Sequence, residues 1–247
     1  ALVGNAANAQ VAMNGGMDRP AKKMQESPMV TPQRPVAHGA ARDIIWSNDF
    51  SNAADWAVGT IEGASDDTWV IGTTGPTGAF ASQVGTILSS TAANGFALFD
   101  SDLLCSGNQE ATLTLVNPVD LGAYSGVMLQ FEQNYKRFYD NVWVDWSTNN
   151  IDWTAVQVNA DFEHGGTAQA TANPELTALN LSAAAGSATV YIRFRFESKP
   201  TSVNPLTGVA FPAASTGCAY PWQVDDVALT TMPAYEVQMN HAHSSTT

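Results

Sequence analysis

The sequence predicts an all-β protein, an antiparallel two-sheet jelly-roll β-sandwich carrying an extended N-terminal arm. Three observations lead there. Apolar and polar residues alternate at period two in several segments. The connections between those segments are dense in Gly, Pro, Asn and Ser, and almost no segment spaces its apolar residues as a helix does. Hydrophobic residues make up 45% of the 247, enough for a full core, while charged residues reach only 13%, which excludes a disordered chain and a coiled coil.

The strands follow in order. Ile44–Phe50, Trp69–Gly72, Gly95–Phe99 and Ala111–Val116 are short apolar runs bounded by turn residues. In Val127–Tyr135, the side chains of Val127, Leu129, Phe131 and Gln133 fall on one face. Val142–Ser147 and Trp153–Val158 flank Asn149-Asn150, whose short amides tolerate left-handed backbone, and so predict a hairpin. Leu179–Ala185 contains three consecutive alanines, but Gly186 stops it short of two turns, so a loop or a single turn is expected. In Ala188–Phe196, Val190, Ile192, Phe194 and Phe196 share the buried face, and Tyr191, Arg193 and Arg195 share the other, where a carboxylate of the same domain should pair with the arginines. Gln223–Thr230 closes the set. Many short strands separated by turn signals bury their apolar faces by packing as two sheets, over residues 43–232.

Charge narrows the function. Ten basic residues against 23 acidic ones leave the chain at −13, a poor match for phosphate backbones, so nucleic acid is excluded as a partner. No run of 18 apolar residues occurs and no basic start leads into an apolar segment, so neither a membrane span nor a retained signal peptide is expected. Residues 1–42 hold Arg19, Lys22, Lys23, Arg34 and Arg42 against Asp18 and Glu26, a net charge of +3 that leaves −16 for the rest. Four prolines and no apolar period make this segment an arm rather than a domain. Residues 233–247 form a polar tail.

Several segments, taken in order, resemble the MAM-like jelly-roll module of bacterial secreted and surface proteins, the group that includes cleaved-adhesin domains. They are Trp46–Phe50 with Asp55-Trp56, Ala93–Asp102, Leu115–Tyr124, Val142–Trp153 and Trp222–Val227. The resemblance implies a non-catalytic module, secreted or held at the surface of a bacterium and stabilised by calcium. Its work would be adhesion or assembly, with a surface protein, a glycan or copies of itself as partner. The alternative is a carbohydrate-binding accessory module of an extracellular hydrolase.

Calcium takes six to eight oxygens, and aspartates near strand ends supply them. Asp100 and Asp102, two apart on an extended segment, point to one side, and Asp225 and Asp226 add a second pair. The resemblance adds Asp49 from the first strand. With Val227 and Leu229 inward, Asp225 is expected on the core side, where a cation or backbone donors must satisfy it. The competing reading makes all five turn-forming or capping residues.

Cys105 and Cys218 are the only cysteines, a disulfide in an exported protein and two buried thiols in a cytosolic one. They become neighbours if the Phe99–Asp102 and Trp222–Val227 segments serve one metal end. Among the clustered aromatics, Tyr135, Tyr139, Trp143 and Trp146 are candidates for stacking on sugar rings, set against a role in covering the sheet. No G-x-S-x-G elbow, phosphate loop or H-E-x-x-H motif occurs, and His241 and His243 lack a third ligand nearby, so no enzyme is expected.

A basic arm on an acidic protein is drawn to an acidic surface, and forty extended residues reach on the order of 100 Å, far beyond one domain's radius. This favours a clamp between subunits over docking on the arm's own domain. Deleting residues 1–40 should therefore give a folded monomer by sedimentation. A truncated chain that assembles as before removes the arm from any connecting role.

Overall fold

The computed structural model describes residues 42–165 and 169–232. The arm up to residue 41, the tail from residue 233, and the roles expected of them lie outside these residues. The strands are β1 (Ile44–Asn48), β2 (Trp56–Glu62), β3 (Val70–Gly72), β4 (Phe96–Phe99), β5 (Gln109–Leu115), β6 (Val127–Tyr135), β7 (Asn141–Ser147), β8 (Thr154–Val158), β9 (Glu175–Asn180), β10 (Tyr191–Ser198) and β11 (Trp222–Thr231), with a one-turn helix α1 (Ser101–Leu104) after β4. They form two antiparallel sheets, one in the order β3-β4-β11-β6-β9 with β1 also paired to β11, the other β2-β5-β10-β7-β8.

Alternation decides what faces inward. Val190, Ile192, Phe194 and Phe196 are fully buried, as are Val127, Leu129 and Phe131 from the opposite sheet. Burying each such side chain contributes about 1.5–3 kcal/mol. Phe194 meets Phe131, Trp56 and Trp222 edge-on or tilted at ring separations of 5.1–5.9 Å, so it joins the two sheets. The Asn149-Asn150 hairpin forms, with Asn150 at φ 59°. The alanine-rich segment contributes the end of β9 and one turn at Ser182–Ala184.

Strands β2 and most of β9 escape the period-two reading. Both lie at sheet edges, where half the covering neighbours are missing. Val58 and Ile61 on β2 and Leu176 on β9 are each about half exposed or more, so apolar residues there do not mark a buried face.

β11 departs from a regular strand. One of its edges runs along β6 throughout, while the other pairs with β4 at Trp222–Val224 and with β1 at Val227–Thr230. A bulge falls between Asp225 and Ala228, where Asp226 takes φ 48°. The extra residue resets the alternation, so Val224, Val227 and Leu229 all enter the core. Asp225 therefore faces away from the core, contrary to the expectation from an unbroken strand. It is nevertheless fully buried, beneath the segment that carries Ser89 and Thr91.

Cys105, ending α1 in a left-handed conformation, forms a disulfide with Cys218 just before β11, closing a separation of 113 residues. Replacing both cysteines by alanine should cost about 2–5 kcal/mol, measured as a lower midpoint in denaturant unfolding of the oxidised chain against the variant.

Candidate functional site

The five predicted metal ligands occupy two separate places. The register pairs Phe99 with Trp222 and Ala97 with Val224, so Asp100 and Asp225 sit near opposite ends of β4, about 13 Å apart along the strand. At one end, Asp49 and Asp226 line a polar cleft of about 520 Å³ with Asp55 and Asn48. Each acid there already has protein donors. Asp49 accepts from the Ser51 hydroxyl at 2.6 Å and Asn94 at 2.9 Å, bonds that hold its carboxyl below the usual range. Asp226 accepts from Thr91 at 2.6 Å and Ser90 at 3.3 Å. Asp225 accepts from Ser89, from Thr91 at 3.2 Å and from the Asp226 amide at 2.8 Å. Burial pushes it up to about 6.

At the other end, β4 runs straight into α1, so Asp100 and Asp102 stand at the start of a helical turn rather than on the extended segment expected. Their carboxylates still converge. Asp100 Oδ2 accepts from the amides of Thr77 at 2.7 Å and Gly78 at 3.2 Å, and Asp102 Oδ2 accepts from the Phe80 amide at 2.5 Å. The Oδ1 atom of each is buried without a hydrogen-bond partner. Burial, then the neighbouring Asp100, pushes Asp102 up to about 6. No three His, Cys, Asp or Glu side chains converge among the described residues. Two carboxylates fall far short of the six to eight oxygens that calcium, which the family resemblance implies, would need. A proton shared between Asp100 and Asp102 answers their facing oxygens, while the acids around Asp49 already have donors.

The four predicted aromatics do not form one platform. Tyr135 is a core residue whose hydroxyl donates to Asp140 at 2.6 Å. Trp146, three residues from Trp143 on the same strand, necessarily points the other way and packs on the core. Trp143 lies on the outer face of the five-stranded sheet, under the Arg195 guanidinium at 5.0 Å. That face is a ladder of paired charges. Asp145, fully buried, accepts from Arg193 at 2.8 Å and Arg195 at 2.9 Å, and Lys199 bridges Glu62 and Glu110. Arg193 also covers Trp153, at 4.2 Å. The arginines thus have their expected carboxylate, and each indole has a guanidinium over one of its faces.

Tyr139 leads to an aromatic cluster at one end of the sandwich, packed on Phe138 at 4.6 Å. Phe138, Phe80 and Tyr220 line a cleft of about 180 Å³ whose floor is Ala219 and the Cys218 end of the disulfide. Tyr220 meets Phe80 and Phe138 edge-on at 6.2 and 6.0 Å. Gln83 Oε1 accepts from Lys136 Nζ at 2.8 Å and from the Tyr220 hydroxyl at 3.0 Å, with the ammonium also over the Tyr220 ring at 4.4 Å. The Gln83 amide nitrogen and part of the ammonium's donor capacity are left for a ligand. Sequence reading had no signal for Phe80 or Tyr220, which arrive from distant loops.

No protein-family model matches the chain, and no curated protein matches it. Solved structures do. One is TmCBM61 in complex with beta-1,4-galactotriose, 11% identical with a TM-score of 0.44, over 77% of this chain and 99% of that one. The K1 and K3 cleaved adhesin domains of Lys-gingipain from Porphyromonas gingivalis W83 are each 16% identical, with TM-scores of 0.40 and 0.41. They match over 76% and 77% of this chain and 98% and 100% of theirs. At these identities and scores, the ligands and partners of those proteins remain their own.

The loop that carries Phe138 and Tyr139 also holds Asp140, fully buried and pushed up to about 6 by that burial. A carboxyl raised above its unfolded value contributes stability that is complete below about pH 4 and is lost as pH rises through about 6. Asp140→Asn should therefore flatten the dependence of melting temperature on pH between 4 and 7, with the wild-type chain melting higher at pH 5 than at pH 7.

Proposed function

We propose that this chain is a non-catalytic binding module, secreted by or displayed on a bacterium, and that its ligand is a glycan. The observation that carries this reading is the cleft between Phe80, Phe138 and Tyr220. Its rings offer apolar surface to the C–H face of a pyranose, and the Gln83 amide and Lys136 ammonium, both in contact with Tyr220, suit sugar hydroxyls. Its size suits a single sugar ring rather than a drug-sized ligand. The Cys105–Cys218 bond supports the exported setting, because such bonds persist in oxidising compartments. Among the described residues no helix is long and apolar enough to cross a membrane.

Adhesion or assembly by contact with copies of itself is the second reading. The opposite charges of residues 1–42 and the remainder favour it.

Affinity electrophoresis through gels containing soluble polysaccharides separates the possibilities. Phe80 is half exposed, so Phe80→Ala leaves the core intact. Phe80→Ala and Tyr220→Ala should each weaken retention about fivefold to tenfold, the scale of one lost aromatic contact. Trp143→Ala should leave it unchanged. Retention that depends on Trp143 and not on Phe80 would move the site to the outer sheet face, and a wild-type chain retained by no polysaccharide would sink the glycan reading.

A further inference from the structure

Two of the loops that wall the aromatic cleft are tied to each other through a pair of acids. Asp100 and Asp102 are 7% and 4% exposed, and each accepts through Oδ2 from backbone amides of the Thr77–Phe80 turn, Asp100 from Thr77 and Gly78 and Asp102 from Phe80. Their Oδ1 atoms have no other donor among the described residues, and the two carboxyls lie within hydrogen-bonding reach of each other. Ionised carboxylates only accept, so two of them cannot bond. With one proton held between them, one carboxyl donates to the other and both Oδ2 atoms stay free for the turn. Burial beside a like charge favours that state. Cations are engaged elsewhere: Arg193, Arg195 and Lys199 pair with Asp145, Glu110, Glu197 and Glu62. Asp66, which lines a mainly apolar cleft with Asp100, Val70, Leu98 and Leu103, is a further acid. The fit of the turn is close. A Cβ placed on Gly78 would collide with Asp102 Oδ1, so the turn lies this near only because that residue is glycine. Asp102 itself lies on α1, and Cys105, which ends α1, is bonded to Cys218 just before Tyr220. The acid pair, α1 and the disulfide thus form one path from the Phe80 wall to the Tyr220 wall, whose rings meet edge-on at 6.2 Å.

We propose that Asp100 and Asp102 are positioning residues for the aromatic cleft, a single acid–carboxylate pair whose one shared hydrogen lets both hold the Thr77–Phe80 turn and so set Phe80 against Tyr220. Each acts through the backbone of the turn and has no contact with a ligand of its own. Without the hydrogen the facing oxygens repel, and one carboxyl relieves the repulsion by swinging away and releasing its amides. That the turn sets a wall for a ligand rests on the glycan reading; that the pair holds the turn does not.

The test uses the full chain and two readouts: hydrogen exchange at the Thr77, Gly78 and Phe80 amides, and retention in gels containing soluble galactomannan, xylan or β-glucan. Asp102→Asn keeps the side-chain shape, accepts from the Phe80 amide through its carbonyl oxygen and presents an N–H to Asp100. It should keep wild-type exchange and retention within about twofold. Asp102→Ala removes acceptor and donor together, and should speed exchange at Phe80 about tenfold or more. Its retention should fall about fivefold to tenfold, as in Phe80→Ala. Exchange within β6 and β10 reports that the sandwich is still folded. Gly78→Ala leaves both carboxyls in place and displaces the turn, so it should reproduce the Asp102→Ala result through a change confined to a loop. Unchanged Phe80 exchange in both alanine variants would overturn the proposal. So would Asp102→Asn behaving as Asp102→Ala, because a donor at that position would then make no difference. Faster exchange with unaltered retention would remove the pair from any part in positioning the cleft. A wild-type chain retained by no polysaccharide, with the exchange pattern as expected, would leave the pair holding its turn and remove the glycan reading.

Discussion

The Trp222 indole is fully buried between the sheets, and its N–H has to find an acceptor there. Gln133 supplies it at 3.1 Å. That amide, in turn, donates from its nitrogen to Thr177 at 2.7 Å and Asn159 at 3.1 Å, while Asn159 returns a bond to Gln133 Oε1. One polar side chain on β6 thus ties the central strand β11 to edge strand β9 and to the end of β8. An indole left without its acceptor would cost about 1–3 kcal/mol, so the network rewards a single register between these strands. Around it Trp69, Tyr135 and Phe194 contact the Trp222 ring at 5.3–6.3 Å, and the larger sheet is assembled on that contact.

Holding β11 in place has a consequence for the acids. The strand must satisfy β4 on one half of an edge and β1 on the other, and the bulge at Asp225-Asp226 accommodates the change of partner. The bulge swings both carboxylates toward the Ser89–Thr91 segment, whose hydroxyls receive them. These acids are therefore structural fastenings. The pair at Asp100 and Asp102 differs because its neighbours are backbone amides on one side only, which leaves the facing half of each carboxyl to the other.

The same end of the sandwich collects the chemistry that remains. The turn at Thr77–Phe80, the loop Lys136–Asp140 and the approach to β11 meet there, with the disulfide anchoring the last of them. A rigid pair of sheets presents adaptable loops, the usual division between scaffold and recognition surface. The outer face of the smaller sheet is the counterexample within the same molecule. Its arginines are consumed by Asp145 and Glu110 and cover its tryptophans, so its aromatic content adds to the packing of the face itself.

Period and turn chemistry were sufficient for the fold class, for the buried faces of β6 and β10 and for the Asn149-Asn150 hairpin, because each depends on residues two to four positions apart. The same local signal faded at β2 and β9, where an edge position removes the burial that writes alternation into a sequence. It misplaced Asp225 because a bulge is settled by the partners on either side of a strand and leaves no mark in the strand itself. Spacing nominated Asp100 and Asp102 as neighbours, while the Asp225-Asp226 pair, and Asp49 through the family resemblance, were joined to them across the length of β4. The cleft of Phe80, Phe138 and Tyr220 lay beyond sequence reading for the same reason. Its walls come from three loops whose meeting is decided by sheet order and by the Cys105–Cys218 link, and contacts between such distant segments belong only to the folded chain.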